Sequence, residues 1–174
     1  MKNPKLVLHP DKILQTKANP VEKFDTDLNK LIVEMYKIMK DFKGAGLAAP
    51  QVGVPLQIFT FLDFEKENRE RYMINPTILE SNESSEDWEG CLSFPGVFVK
   101  VNRATKIKVK FYNSDNEEKI EEFVNFTARV IQHEIEHLEG KTFDRYLSNL
   151  KRDIVKRKMM KVKKRVYQRT QVRI

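Results

Sequence analysis

The sequence predicts an α+β fold, and three observations carry that expectation. Leu28, Leu31, Ile32, Met35, Ile38, Met39 and Phe42 recur at helical spacing over residues 25–42. Several stretches between residues 54 and 124 are β-like, and the clearest alternates apolar and polar residues with the period of a half-buried strand. The other helical patterns, over 127–138 and beyond 151, come after the strands instead of alternating with them. That order favours α+β over a doubly wound sheet.

Taken in order, the first helix has Asp25 or Thr26 as its cap, and Gly44 and Gly46 end it and open a loop. Residues 54–62 read as a strand and residues 71–75 as another, with a short β segment at 97–101. Ile107, Val109 and Phe111 alternate with lysines. Asn113-Ser114-Asp115-Asn116 is a turn cluster, and residues 119–124 supply the return strand of a hairpin. A second helix covers 127–138 and a third the basic tail.

A chain of 174 residues, 40% hydrophobic and 33% charged, suits one soluble globular domain with a real core. Its single cysteine excludes an internal disulfide framework and suits a reducing compartment. No apolar run approaches the roughly 20 residues of a membrane span. Residues 1–5 carry no signal-peptide core, and no arginine precedes Arg69. The expected location is therefore cytoplasmic, although a mature organellar form trimmed of its leader would read the same way.

The net charge of +7 is unevenly placed. Residues 151–174 hold eleven Lys and Arg against the single acid Asp153, so the tail is +10 and the other 150 residues are −3. We therefore expect a catalytic body over 1–150 and a basic helical tail of the same domain over 151–174. Val155, Met159, Val162 and Val166 form a narrow apolar stripe along that tail. The stripe suits docking on the body, and the surrounding charge suits an anionic partner, which the family resemblance given below would make ribosomal RNA. An anionic membrane surface fits less well, because the stripe lacks Trp and Phe. Nothing in the sequence points to DNA.

The chemistry centres on Gln132-His133-Glu134-Ile135-Glu136-His137, an HExxH motif. Histidines at i and i+4 of a helix lie about 40° apart around its axis, so both reach one ion. Glu134 lies within the same arc and can act as general base without being a ligand. Only three histidines exist in the chain, and the third, His9, reads as structural or solvent-facing beside Pro10.

The third ligand decides the class. Phe143 stands where an extended HExxHxxGxxH motif would place another histidine. The downstream acids Glu139, Asp144 and Asp153 are poorly placed to replace it. Cys91, within Glu89-Gly90-Cys91-Leu92-Ser93, is the best remaining candidate, against the alternative of a buried core cysteine. Two imidazoles and a thiolate would leave a fourth position open, as a catalytic metal requires. Upstream, Gly44-Ala45-Gly46-Leu47-Ala48-Ala49-Pro50-Gln51-Val52-Gly53 is rich in small residues that allow close backbone approach. It reads either as a plain helix-to-strand turn or as a loop whose Gln51 amide donates to an oxyanion.

These three segments, in this order and spacing, resemble peptide deformylase over essentially the whole chain. The resemblance implies antiparallel sheets packed around a central helix bearing HExxH. It also implies removal of the formyl group from the N-terminal formyl-methionine of nascent peptides. One divalent metal would be held by Cys91, His133 and His137, ferrous iron in the cell, with Zn2+, Ni2+ or Co2+ possible in purified protein. Glu134 would be the base, while the Gln51 amide and the Leu92 backbone N–H would serve the oxyanion. Gly46 would hold the substrate as an extended strand, and Phe126, Arg129 and Val130 would lie near the methionine pocket. The chain departs from the family pattern at Glu136, usually Asp, and at Phe94, usually Ile or Val. The alternatives are a related metallohydrolase acting on another N-acyl peptide, an inactive ribosome-binding relative, and a thiol hydrolase using Cys91 as nucleophile.

Overall fold

The computed structural model describes residues 4–171, with side chains through Arg165. The first helix, α1, spans Thr26–Asp41, and Asp25 caps it by accepting from the Asp27 and Leu28 N–H groups at 3.0 Å. Its apolar stripe buries Leu28, Leu31, Ile32, Met35 and Met39. Phe42, the last member of the predicted stripe, is instead 53% exposed, because the helix has ended before it.

Seven strands follow: β1 (Gly46–Ala48), β2 (Ile58–Asp63), β3 (Arg69–Asn82), β4 (Ser85–Gly90), β5 (Phe98–Arg103), β6 (Lys106–Tyr112) and β7 (Glu118–Val124). The second helix, α2, covers Asn125–Leu138, and the last, α3, covers Asn149–Gln171. Five strands form an antiparallel sheet in the order β1-β2-β3-β6-β7, and β4 pairs with β5 in a separate antiparallel ribbon.

Helices cover both faces of the main sheet. Phe59, Phe61, Met73, Val109 and Phe123 pack with Ala128 and Ile131 of α2. Ile58 and Ile74 pack with the buried stripe of α1. A strand covered on both faces reads as a continuous apolar run, as β2 does. Strand β6 alternates cleanly: Ile107, Val109 and Phe111 are buried, while Lys106, Lys108 and Lys110 pair with Glu122, Glu80 and Glu118. A third cluster lies under the ribbon, where Phe94, Val99, Val101 and Phe143 enclose Met159 of α3. Val155 and Val162 pack beside it, which is the docked arrangement of the tail stripe, and Val166 lies outside the described side chains.

Several element boundaries differ from the sequence reading. Strand β2 starts at Ile58 and not at 54, because a short 3-10 turn over Ala49–Val52 and a bridge from Asn19 to Leu56 occupy the preceding chain. Strand β3 continues past Pro76 to Asn82 by shifting register between Ile74 and Thr77. The Asn75 side chain ties that irregularity to Val21 N and O at 2.8 and 2.9 Å. Strands β1 and β4 were not anticipated, because one is three residues long and the other is mostly polar and exposed. Of the two readings of His9, structural or solvent-facing, the structure takes the first. It is buried and its ring is stacked on Phe94 at 4.5 Å, while its backbone N–H donates to Ser93 O at 3.0 Å. Among the described residues no helix is long and apolar enough to cross a membrane.

Candidate active site

Helix α2 presents His133 and His137 one turn apart and buried, and the turn after β4 brings Cys91 to them. The three ligand atoms lie within 4.8 Å of one another, and Cys91 Sγ is 3.2 Å from His137 Nε2. A tetrahedral ion with bonds of about 2.0–2.3 Å fits donors at such separations, and one sulfur with two imidazoles is a borderline-soft set. Among the described residues no fourth His, Cys, Asp or Glu joins this cluster. The donor set therefore fits a divalent cation with an open position.

Glu89 lies behind His133. Its Oε2 takes the Nδ1 edge of His133 at 3.0 Å, leaving Nε2 for the ligand site. Arg103 grips both Glu89 oxygens at 2.9 Å, and Arg129 adds a contact to Oε1 at 2.9 Å. Burial alone would raise the Glu89 carboxyl, but the hydrogen bonds from His133 and Arg103 outweigh it and hold the group down at about 2. His133 is raised because the neighbouring Cys91 and Glu89 outweigh its desolvation. His137 is lowered by burial, then by His133 and Arg103, so it favours the neutral form that a ligand must have.

Glu134 is buried on the same helix, and its Oε2 has no hydrogen-bond partner. Burial pushes its carboxyl up to about 7. Gly46 lies directly against it: a Cβ built on Gly46 would sit 2.5 Å from Glu134 Oε1 and 2.9 Å from Cγ. Only glycine lets β1 approach the carboxylate this closely.

Gln51 sits in the 3-10 turn after β1. Its Oε1 accepts from Ala48 N at 2.8 Å, which points Nε2 at Cys91 Sγ (3.4 Å) and Ser93 Oγ (3.2 Å). Among the described residues the Leu92 N–H donates to no other group. Strand β1 is the free edge of the main sheet. Ala45 O accepts from Leu62 N at 2.9 Å, so by antiparallel alternation the Gly46 N–H and C=O point away from β2 into the cleft.

The cleft has a volume of about 740 Å³, and Phe126, Arg129 and Val130 line it together with Gly46, Gln51, Cys91 and Glu134. The three are not equivalent. Val130 is buried, and Phe126 is 45% exposed and edge-on to Phe64. The Arg129 guanidinium is committed to Glu89, Val101 O and the Ser85 carbonyl, so its charge is directed into the protein.

Residues 4–153 match the family model for polypeptide deformylase. The chain belongs to the polypeptide deformylase family. It is 41% identical over 157 residues to the peptide deformylase of Thermotoga maritima, covering 90% of this chain and 94% of that one. With the peptide deformylase of Brucella suis it shares 37% identity over 161 residues, covering 90% and 91%. The crystal structure of a peptide deformylase from Legionella pneumophila matches with a TM-score of 0.85 at 37% identity, over 98% of each chain. That of Ehrlichia chaffeensis peptide deformylase in complex with actinonin gives a TM-score of 0.87 at 36% identity, over 92% of this chain and 98% of that one.

The two departures from the deformylase pattern are accommodated by specific neighbours. Glu136 meets Arg103 at 2.8 Å, Arg145 at 3.0 Å and the Tyr146 hydroxyl at 2.6 Å. Phe94 fills the space between His9 and Phe143. Sequence reasoning treated Glu89 only as a motif neighbour of Cys91 and missed its partner Arg103. An acid two residues before a candidate metal ligand was the available signal.

Proposed function

We propose that this chain is a metal-dependent hydrolase that removes the formyl group from the N-terminal formyl-methionine of newly made polypeptides and releases formate. The observation that supports it best is the convergence of Cys91, His133 and His137 beside the unpartnered, buried carboxylate oxygen of Glu134.

When bound, a divalent cation there supplies Lewis acidity and lowers the pKa of water toward about 7. Glu134 takes the proton from the attacking water through Oε2 and returns it to the leaving amine. The Gln51 Nε2 amide and the Leu92 N–H donate to the oxyanion as the formyl carbon becomes tetrahedral. The Gly46 N–H and C=O hold the peptide as an added strand along the free edge of β1. Val130 and Phe126 shape the pocket for the methionine side chain, and Arg129 stiffens its wall by holding Glu89. Ferrous iron is the metal we assign in the cell. Zinc, nickel or cobalt would fill the same donor set during purification.

Residues 1–150 act as the catalytic body and 151–174 as its basic tail, in the cytoplasm. The tail presents Lys151, Lys156, Arg157, Lys161, Lys164 and Arg165 to solvent while Met159 anchors it. That arrangement supports a contact with ribosomal RNA whose strength falls steeply with salt. Removal of 151–174 with no change in ribosome co-sedimentation would count against it.

The central test is formate release from formyl-Met-Ala-Ser by anaerobically purified protein whose metal content is measured in the same sample. Release that is lost in Glu134→Ala with metal retained supports the reading. No release at full metal occupancy overturns it and turns attention to other N-acyl peptides.

A further inference from the structure

Ribbon β4–β5 has two unlike faces. One carries Glu89, Val99, Val101 and Arg103, all buried toward His133 and the third core cluster. The other carries Trp88, Gly90, Phe98 and Lys100, since Trp88 pairs with Lys100 and Gly90 with Phe98. Trp88 is 58% and Phe98 65% exposed, which is unusual for the two largest side chains of a ribbon leading into a ligand site.

These aromatics do not stop at the catalytic cleft. Trp88, Val97 and Phe98 line both the cleft and a second groove of about 420 Å³, whose far wall is Tyr146, Lys151 and Ile154. Ile154 is 54% exposed. Among the described residues no carboxylate lines this groove; of its two charges, Lys100 pairs with Glu86 at 3.3 Å, while Lys151 makes no ion pair.

We propose that this shelf binds the substrate's own chain a few residues after the formyl-methionine and favours apolar or aromatic side chains there over basic ones. The inference rests on the deformylase reading and names the part of the substrate that reading leaves open. Continuity of the groove with the cleft identifies the occupant, because a peptide leaving the cleft on this side crosses Trp88 and Phe98 first. The reach agrees: Trp88 is three residues from Cys91, about 10 Å at roughly 3.3 Å per extended residue. An extended substrate spans the same distance by its fourth residue. Lys151, without a carboxylate partner among the described residues, disfavours a basic residue at that point.

The test compares kcat/KM for formyl-Met-Ala-Ser, formyl-Met-Ala-Ser-Phe-Phe and formyl-Met-Ala-Ser-Lys-Lys, using the metal-loaded full chain, Trp88→Ala and Ile154→Asp. The Phe-Phe peptide is expected to exceed the tripeptide by roughly tenfold, with no gain for Lys-Lys. Both variants should lose that gain, and Ile154→Asp should keep the wild-type rate on the tripeptide. Equal rates on all three peptides, or a gain that survives both substitutions, overturns the proposal. A flat peptide series with a dimer that Ile154→Asp dissociates assigns the shelf to a second copy and also overturns it. If no peptide is cleaved at full metal occupancy, the deformylase reading itself fails. Cleavage without discrimination rejects only the shelf.

Discussion

Glu89 Oε2 lies 3.0 Å from His133 Nδ1, across 44 residues of sequence. The contact sets which nitrogen His133 offers and holds its ring plane. Glu89→Gln should weaken metal binding by about 10–100-fold. It should also destabilise the fold by about 3 kcal/mol, because Arg129 loses its buried counter-charge and Arg103 keeps only Glu136. Competition against a chelator and urea denaturation read the two effects separately. An unchanged metal affinity would show that His133 needs no such support.

Gly46→Ala tests the contact between β1 and the Glu134 carboxylate. The added methyl would sit 2.5 Å from Glu134 Oε1. A carboxylate displaced by about 1 Å should cost about 100-fold in kcat/KM, with stability falling by only about 1–3 kcal/mol. Formate release and thermal melting on the same sample check this. A variant with normal turnover would mean that Glu134 works equally well from a shifted position.

The end of α2 gives a different prediction. Gly140 has φ +70°, and a Cβ there would meet the Thr16 carbonyl carbon at 2.7 Å. Gly140→Ala combines a left-handed conformation with a backbone clash and should cost about 2–4 kcal/mol. The loss should appear in the denaturation midpoint, with little change in kcat for the fraction that remains folded. A midpoint within error of wild type would sink the assignment.

Burial raises the Glu134 carboxyl from 4.5 to about 7. A carboxyl raised in the fold binds its proton more tightly in the native state than in the unfolded one. It therefore favours folding below the unfolded value, and that contribution is lost as pH rises through about 7. In chelator-treated protein, Glu134→Gln should be more stable than wild type at pH 8 by up to about 3 kcal/mol, with the gap closing toward pH 4.5. Urea denaturation at several pH values measures the gap. A difference independent of pH would show that the carboxyl titrates in its ordinary range.

What could be read from the sequence was local. The α1 stripe and its Asp25 cap were legible because helical spacing and capping act within a few residues. The lysine-alternating strand β6 was legible because its period of two is written in consecutive positions. His133, Glu134 and His137 could be placed on one arc because a single helix turn relates them.

Tertiary structure alone decided which partners these groups have. Ribbon strand β4 shows almost no apolar pattern and exists through its pairing with β5, which delivers Glu89 to His133 and Cys91 to the ligand cluster. Arg129, legible only as a helix residue near the cleft, proved to be tied to Glu89, Val101 and Ser85. The physical reason is that a helix sets relations over a few residues, whereas hydrogen bonds across 40 or more residues depend on where the chain returns. Sequence by itself carried the family resemblance and named Cys91, His133 and His137 as candidate donors, and packing determined that they stand together.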